Sequence, residues 1–166
     1  MAKEKSPNPH MIKNETMRRV MGVWDEVLED MEYTAEEYRD NGWSVIDLAP
    51  GDVTLTTSSE YDIDVLIPDN EFEEVLEILD RDGFQPTETD KYSAVANGLI
   101  IHQLVLKDPE SKMAITFPIY FNEKPADRVV KVDDTTEPVS IGIRNLAMDF
   151  VLKVQYESYQ QFFDDV

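Results

Sequence analysis

Apolar residues recur at intervals of three and four from Met17 through Val20, Met21, Trp24, Val27, Leu28, Met31 and Ala35 to Tyr38, with acids between them. That is the period of a helix with one buried face. Asn14 is placed to cap its start, and Asn41-Gly42 supplies the left-handed residue that stops it. A helix this long must bury its Met and Trp stripe somewhere, so the stripe is expected to pack on the core. Beyond Gly42 the period falls to two. Trp43 to Leu48 and Val53 to Thr57 read as strands joined at Ala49-Pro50-Gly51-Asp52, a hairpin in expectation. Tyr61 to Ile67 reads as a third strand, with Ile63, Val65 and Ile67 on one face. Pro68-Asp69-Asn70 breaks it and opens a helix from Glu71 to Asp82, with Phe72, Val75, Leu76 and Leu79 on one side and Gly83 as its stop.

Tyr92 to Ala96 and Leu99 to Leu106 flank Asn97-Gly98, the dipeptide whose turn matches the twist of paired strands. A further turn at Lys107 to Ser111 leads into Met113 to Phe121, completing a three-strand meander. Glu123 to Val132 is expected as a short helix, Val139 to Ile143 and Ala147 to Val154 as strands, and Glu157 to Phe163 as a terminal helix. Residues 1–12, with Pro7 and Pro9 and little apolar content, predict a disordered arm, and residues 13–166 one domain. The order of elements mixes hairpins with few strand-helix-strand units. It predicts the α+β class: a mostly antiparallel sheet covered by the long N-terminal helix and a second, shorter helix.

Composition narrows the function classes. The chain has 166 residues and no cysteine, which excludes disulfides, thiolate zinc sites and cysteine nucleophiles. Its longest apolar run, Leu99 to Leu106, falls far short of the ~20 residues that span a bilayer. No export signal is readable at the N-terminus, so a cytoplasmic location away from any membrane is expected. The 35 acidic residues against 15 basic give a net charge of −20. In dilute buffer such a surface repels itself; at molar salt the screening length falls to ~3 Å and the repulsion fades. The acids are spread along the whole chain, as adaptation to high salt requires. Direct nucleic-acid binding is not expected, because the basic residues are scattered apart from the pair Arg18-Arg19.

Chemistry is sparse. Asp62 and Asp64 stand two apart on a strand, so both carboxylates share a face and together could hold a divalent cation. The segment from Tyr61 to Phe84, YDIDVLIPDNEFEEVLEILDRDGF, resembles the strand and following helix of small nucleotidyltransferases. That resemblance implies a magnesium-dependent enzyme using Asp62 and Asp64. The family places a Gly-Ser pair about a dozen residues upstream to receive a triphosphate. Gly51-Asp52 stands there instead, followed by a strand pattern rather than a helix, and no third acid is identifiable. The bland alternative is a solvated strand face. His102, inside an apolar strand, reads as a structural hydrogen-bonding residue, since no second group at fixed spacing supports catalysis. His10 falls in the expected arm. Tyr156, Tyr159, Phe162 and Phe163 form an aromatic tail expected to dock on the chain's own sheet.

Through its acid-rich first helix, the stretch DVLIPDNEF and the aromatic-acid tail, the chain from about residue 14 onward resembles small acidic proteins of unknown function from haloarchaea. That resemblance implies no activity. The function expected is therefore a non-enzymatic binding or regulatory domain adapted to high salt, with a protein partner and no cofactor. The alternative is the metal-dependent nucleotidyltransferase-like enzyme. The sequence does not specify an oligomeric state.

Overall fold

The computed structural model describes residues 9–55, 61–124 and 136–164. The long helix, α1, spans Pro9–Asp40 and so begins earlier than the Asn14 cap suggested. Proline suits a first helical turn because its missing N–H would have no partner there. The expected arm at residues 1–12 is thus helical from Pro9 onward; residues 1–8 lie outside the described ones. The stop is as read. Gly42 takes φ +88°, the Trp43 amide donates to the Tyr38 carbonyl at 3.0 Å, and the Gly42 amide donates to that of Arg39 at 3.0 Å. These two bonds satisfy carbonyls that the helix itself leaves open.

The strands are β1 (Ser44–Asp47), β2 (Asp52–Leu55), β3 (Ile63–Leu66), β4 (Glu88–Ala96), β5 (Leu99–Asp108), β6 (Met113–Asn122), β7 (Val139–Arg144) and β8 (Phe150–Tyr156). Helices α2 (Asp69–Arg81) and α3 (Tyr159–Asp164) complete the described elements. The class is α+β, with two four-stranded mixed sheets, ordered β1-β6-β5-β4 and β2-β3-β7-β8. The β4-β5-β6 meander matches expectation, and its Asn97-Gly98 turn has φ of 53° and 75°, the pair of positive values a two-residue hairpin turn needs.

The expected β1-β2 hairpin is not formed. β1 pairs parallel with β6, while β2 pairs antiparallel with β3. Pro50 is the physical reason: it restricts Ala49 to extended backbone and cannot donate across a tight turn. The chain therefore steps between sheets, Leu48 still donating to the Thr116 carbonyl at 2.9 Å and Gly51 already donating to that of Leu66 at 2.8 Å. β8 also starts later than expected. Asn145 folds Leu146 to Asp149 into a turn by accepting the Asp149 amide on its side chain at 3.0 Å.

Helix α1 covers one face of the first sheet. There the Gln103 side-chain amide donates to the Met31 carbonyl at 3.3 Å, and Trp24 meets Tyr120 edge-on with centroids 6.2 Å apart. Val20, Met31 and Ala35 are buried, whereas Met21 is 76% exposed. Met21 belongs to the apolar spacing but falls at the margin of the arc, outside the contact. In α2, Val75 and Ile78 are buried while Leu76 faces solvent, one position around the helix from Val75. The buried cluster is contiguous, joining Leu104, Phe117 and Ile119 of the first sheet to Ile63, Val65 and Ile141 of the second. The segment Glu123 to Val132, expected as a helix, lies almost wholly outside the described residues. Among the described residues no helix is long and apolar enough to cross a membrane.

Candidate functional site

α1 and β4 run side by side in opposite directions, tied at both ends. At one end the Asn97 side-chain amide donates to the Arg19 carbonyl at 3.0 Å. At the other the Tyr38 hydroxyl donates to the Asp90 carboxylate and lies 2.9 Å from the Tyr92 hydroxyl. Between the ties lies a groove of about 210 Å³. Val23, Val27 and Met31 of α1 form one wall, and Ala94, Ala96, Ile101 and Pro118 line the sheet side. The space exists because β4 presents methyl groups at 94 and 96, too short to reach the helix.

The rim is acidic. Glu26 and Asp30, one helical turn apart, line the groove and are exposed, and among the described residues neither carboxylate has an ion-pair partner. Acids near the ends of the groove are held differently. Asp90 accepts from Lys107 Nζ at 2.9 Å, and that ammonium also lies 5.9 Å from the Tyr38 ring centroid and 5.7 Å from that of Trp43. Burial, then the hydrogen bond to Asp90, raises the Tyr38 phenol above its ordinary pKa. Beyond this end Arg39 donates to Glu32 at 3.0 Å, Glu36 at 2.8 Å and Asp47 at 3.2 Å. Burial, followed by the neighbouring Glu32 carboxyl, pushes Asp47 up to about 7 despite Arg39. Sequence reasoning missed the groove; its one readable signal was the pair of small residues, Ala94 and Ala96, on a strand beside a long helix.

Asp62 and Asp64 lie at the start of β3, with Ile63, Val65 and Ile67 buried between and beyond them. Each acid has its own partner on β7. Asp62 accepts from the Ser140 amide at 3.0 Å and from its hydroxyl at 2.9 Å; its own amide donates back to that hydroxyl at 3.0 Å. Asp64 accepts from Arg144 Nε at 2.7 and 2.9 Å. The parallel β3-β7 pairing, which no local pattern announces, brings these partners together. Gly51 spends its amide on Leu66, and Asp52 opens a strand. Among the described residues, no group of three or more His, Asp or Glu stands where it could hold a metal ion.

His102 is fully buried. Its Nε2 faces the Phe162 carbonyl, an acceptor only, so Nε2 carries the proton. Nδ1, 2.7 Å from the Ser93 hydroxyl, is then the acceptor. With Phe121 and Phe162 packed edge-on against its ring at 5.1 and 4.9 Å, His102 fastens α3 to the face opposite α1. The aromatic tail thus docks on its own sheet. His10 lies in the first turn of α1.

The architecture is that of an α+β protein with an acid-rimmed, helix-walled groove beside the edge of a sheet. The chain belongs to a family of unknown function, DUF7529, whose model matches residues 12–164. Neither a curated protein nor a solved structure matches it.

Proposed function

We infer that this chain is a non-catalytic binding domain, working in a salt-rich, haloarchaeal-type cytoplasm, with the groove between α1 and β4 as its ligand seat. One observation carries the reading: among the described residues the Glu26 and Asp30 carboxylates have no ion-pair partner beside an apolar space, whereas Asp62 and Asp64 are engaged by Ser140 and Arg144. A concave apolar surface with a few convergent polar groups is the usual form of a binding site. The nucleotidyltransferase-like alternative has less support, since a cation at Asp64 must compete with the arginine already there. The net charge of −20 supports the salt adaptation.

Indole, a flat apolar probe, tests the seat. Added to isotope-labelled protein, it should shift the NMR signals of Met31, Ala94 and Ile101. Ala94→Phe, which fills the space, should abolish those shifts. Shifts elsewhere only, or shifts that persist in the variant, would remove the seat. Magnesium with ATP should leave the melting temperature unchanged, since only a ligand of the native state raises it. The melting temperature should itself climb between 0.1 and 3 M KCl as charge repulsion is screened.

A further inference from the structure

The geometry points to a specific occupant for this seat: an extended, basic segment of a partner protein that adds as a fifth strand beside β4 and lowers one apolar side chain into the groove. The inference rests on the groove being the ligand seat.

β4 is the terminal strand of its sheet, nine residues from Glu88 to Ala96. Because the Asn97-Gly98 turn closes on the pair Ala96 and Leu99, that pair exchanges both hydrogen bonds, and alternate pairs do so from there. The backbone groups of Thr89, Ser93 and Val95 therefore point away from β5, toward the open edge. An exposed edge of this length is a template for strand addition. β4 has no proline and, among the described residues, no strand or helix pairs with its outer side.

The groove decides which side chains such a strand would carry. An apolar cavity of ~150 Å³ accepts a benzene-sized group, so about 210 Å³ holds one aromatic or branched aliphatic side chain and little more. It lies below the ~300 Å³ at which small-molecule sites begin. Residues two apart on a strand share a face at ~7 Å spacing. Glu26 and Asp30, four apart on the helix, stand ~6 Å apart. A lysine or arginine two positions from the anchor is therefore in register with the rim. The one cation on β4, Lys91, does not oppose this, because its Nζ reaches the other face and donates to the Gln161 carbonyl. A second copy of this chain is disfavoured as occupant, since it would bring a further net charge of −20 to an acidic rim.

The probe is a capped heptapeptide in which threonine alternates with lysine, leucine and lysine. Titrated into full-length labelled protein at 0.3 M KCl, it should shift the amides of Thr89, Ser93 and Val95 together with the side chains of Val27 and Ile101. Replacing its lysines by glutamates should abolish binding, as should methylating alternate backbone nitrogens. The surface double variant Glu26→Gln with Asp30→Asn should weaken it about threefold to tenfold, the range for two exposed ion pairs. The proposal is overturned if the glutamate peptide binds as well, if the shifts map to the second sheet, or if no binding occurs. It is equally overturned if the protein dimerises through β4 and the peptide does not compete. Indole separates the two readings. Indole in the groove without peptide binding leaves the seat standing and sinks the occupant; neither binding sinks both.

Discussion

The two sheets use the same acid-rich sequence in opposite ways. On the second sheet, Asp62 and Asp64 are locked by Ser140 and Arg144 across the β3-β7 pairing, so acidity there is internal cement. Over the first sheet, Glu26 and Asp30 flank a groove and, among the described residues, have no cation of their own. The number of acids is therefore a poor guide to where this protein can bind, and their partnership is a better one. The first sheet also differs between its own faces. On one face α3 packs Phe162, fully buried, against His102 and Phe121, while α1 leaves the other partly open beside β4.

The contrast between faces should break most visibly at Phe162. Phe162→Ala removes a fully buried ring from the face that carries α3 and should cost about 3 to 5 kcal/mol, the range for large aromatic truncations. Urea unfolding measures it; a loss below ~1 kcal/mol would mean α3 is only loosely attached.

The contrast between sheets sharpens with matched removals of charge. Asp64→Asn strips the charge from a pair whose side chains are only 12% and 17% exposed. It should cost about 1.5 to 3 kcal/mol, as for hydrogen bonds to charged groups. A double-mutant cycle with Arg144→Gln should return most of that as coupling. The same chemical change at Glu26 and Asp30 should leave stability within about 0.5 kcal/mol, or raise it at low salt. Equal costs at the two places would erase the distinction.

The contrast extends to pH through Asp47, on the edge strand β1. Its carboxyl titrates near 7 in the fold against an ordinary value of about 3.9. Between those limits the folded state holds the proton that the unfolded state has released. Stability from this group is therefore complete below about pH 4 and is lost as pH rises toward 7. Asp47→Asn cannot titrate, so its melting temperature should gain on the wild type between pH 5 and pH 8. A difference that stays flat over that interval would contradict the raised pKa.

Local pattern was enough for much of this molecule. The 3.6-residue rhythm identified α1 and α2, Asn41-Gly42 and Asn97-Gly98 marked a helix stop and a hairpin, and alternation placed Ile63, Val65 and Ile67 inward. Those features depend on interactions between residues a few positions apart, which a single sequence displays. The β1-β2 step, the start at Pro9 and the exposure of Met21 were misjudged where two local signals competed, and packing chose between them.

What the sequence determined by itself was the class, the elements and the charge. Tertiary structure alone decided that β1 lies along β6 and β3 along β7, because parallel pairings join strands far apart in the chain and leave no periodic trace. Through those pairings it gave Asp62 and Asp64 their partners, Ser140 and Arg144, from nearly eighty positions away. It also made the groove. Ala94 and Ala96 are unremarkable on a strand until α1, tied at Arg19 and Tyr38, is held over them at a distance their methyl groups cannot close.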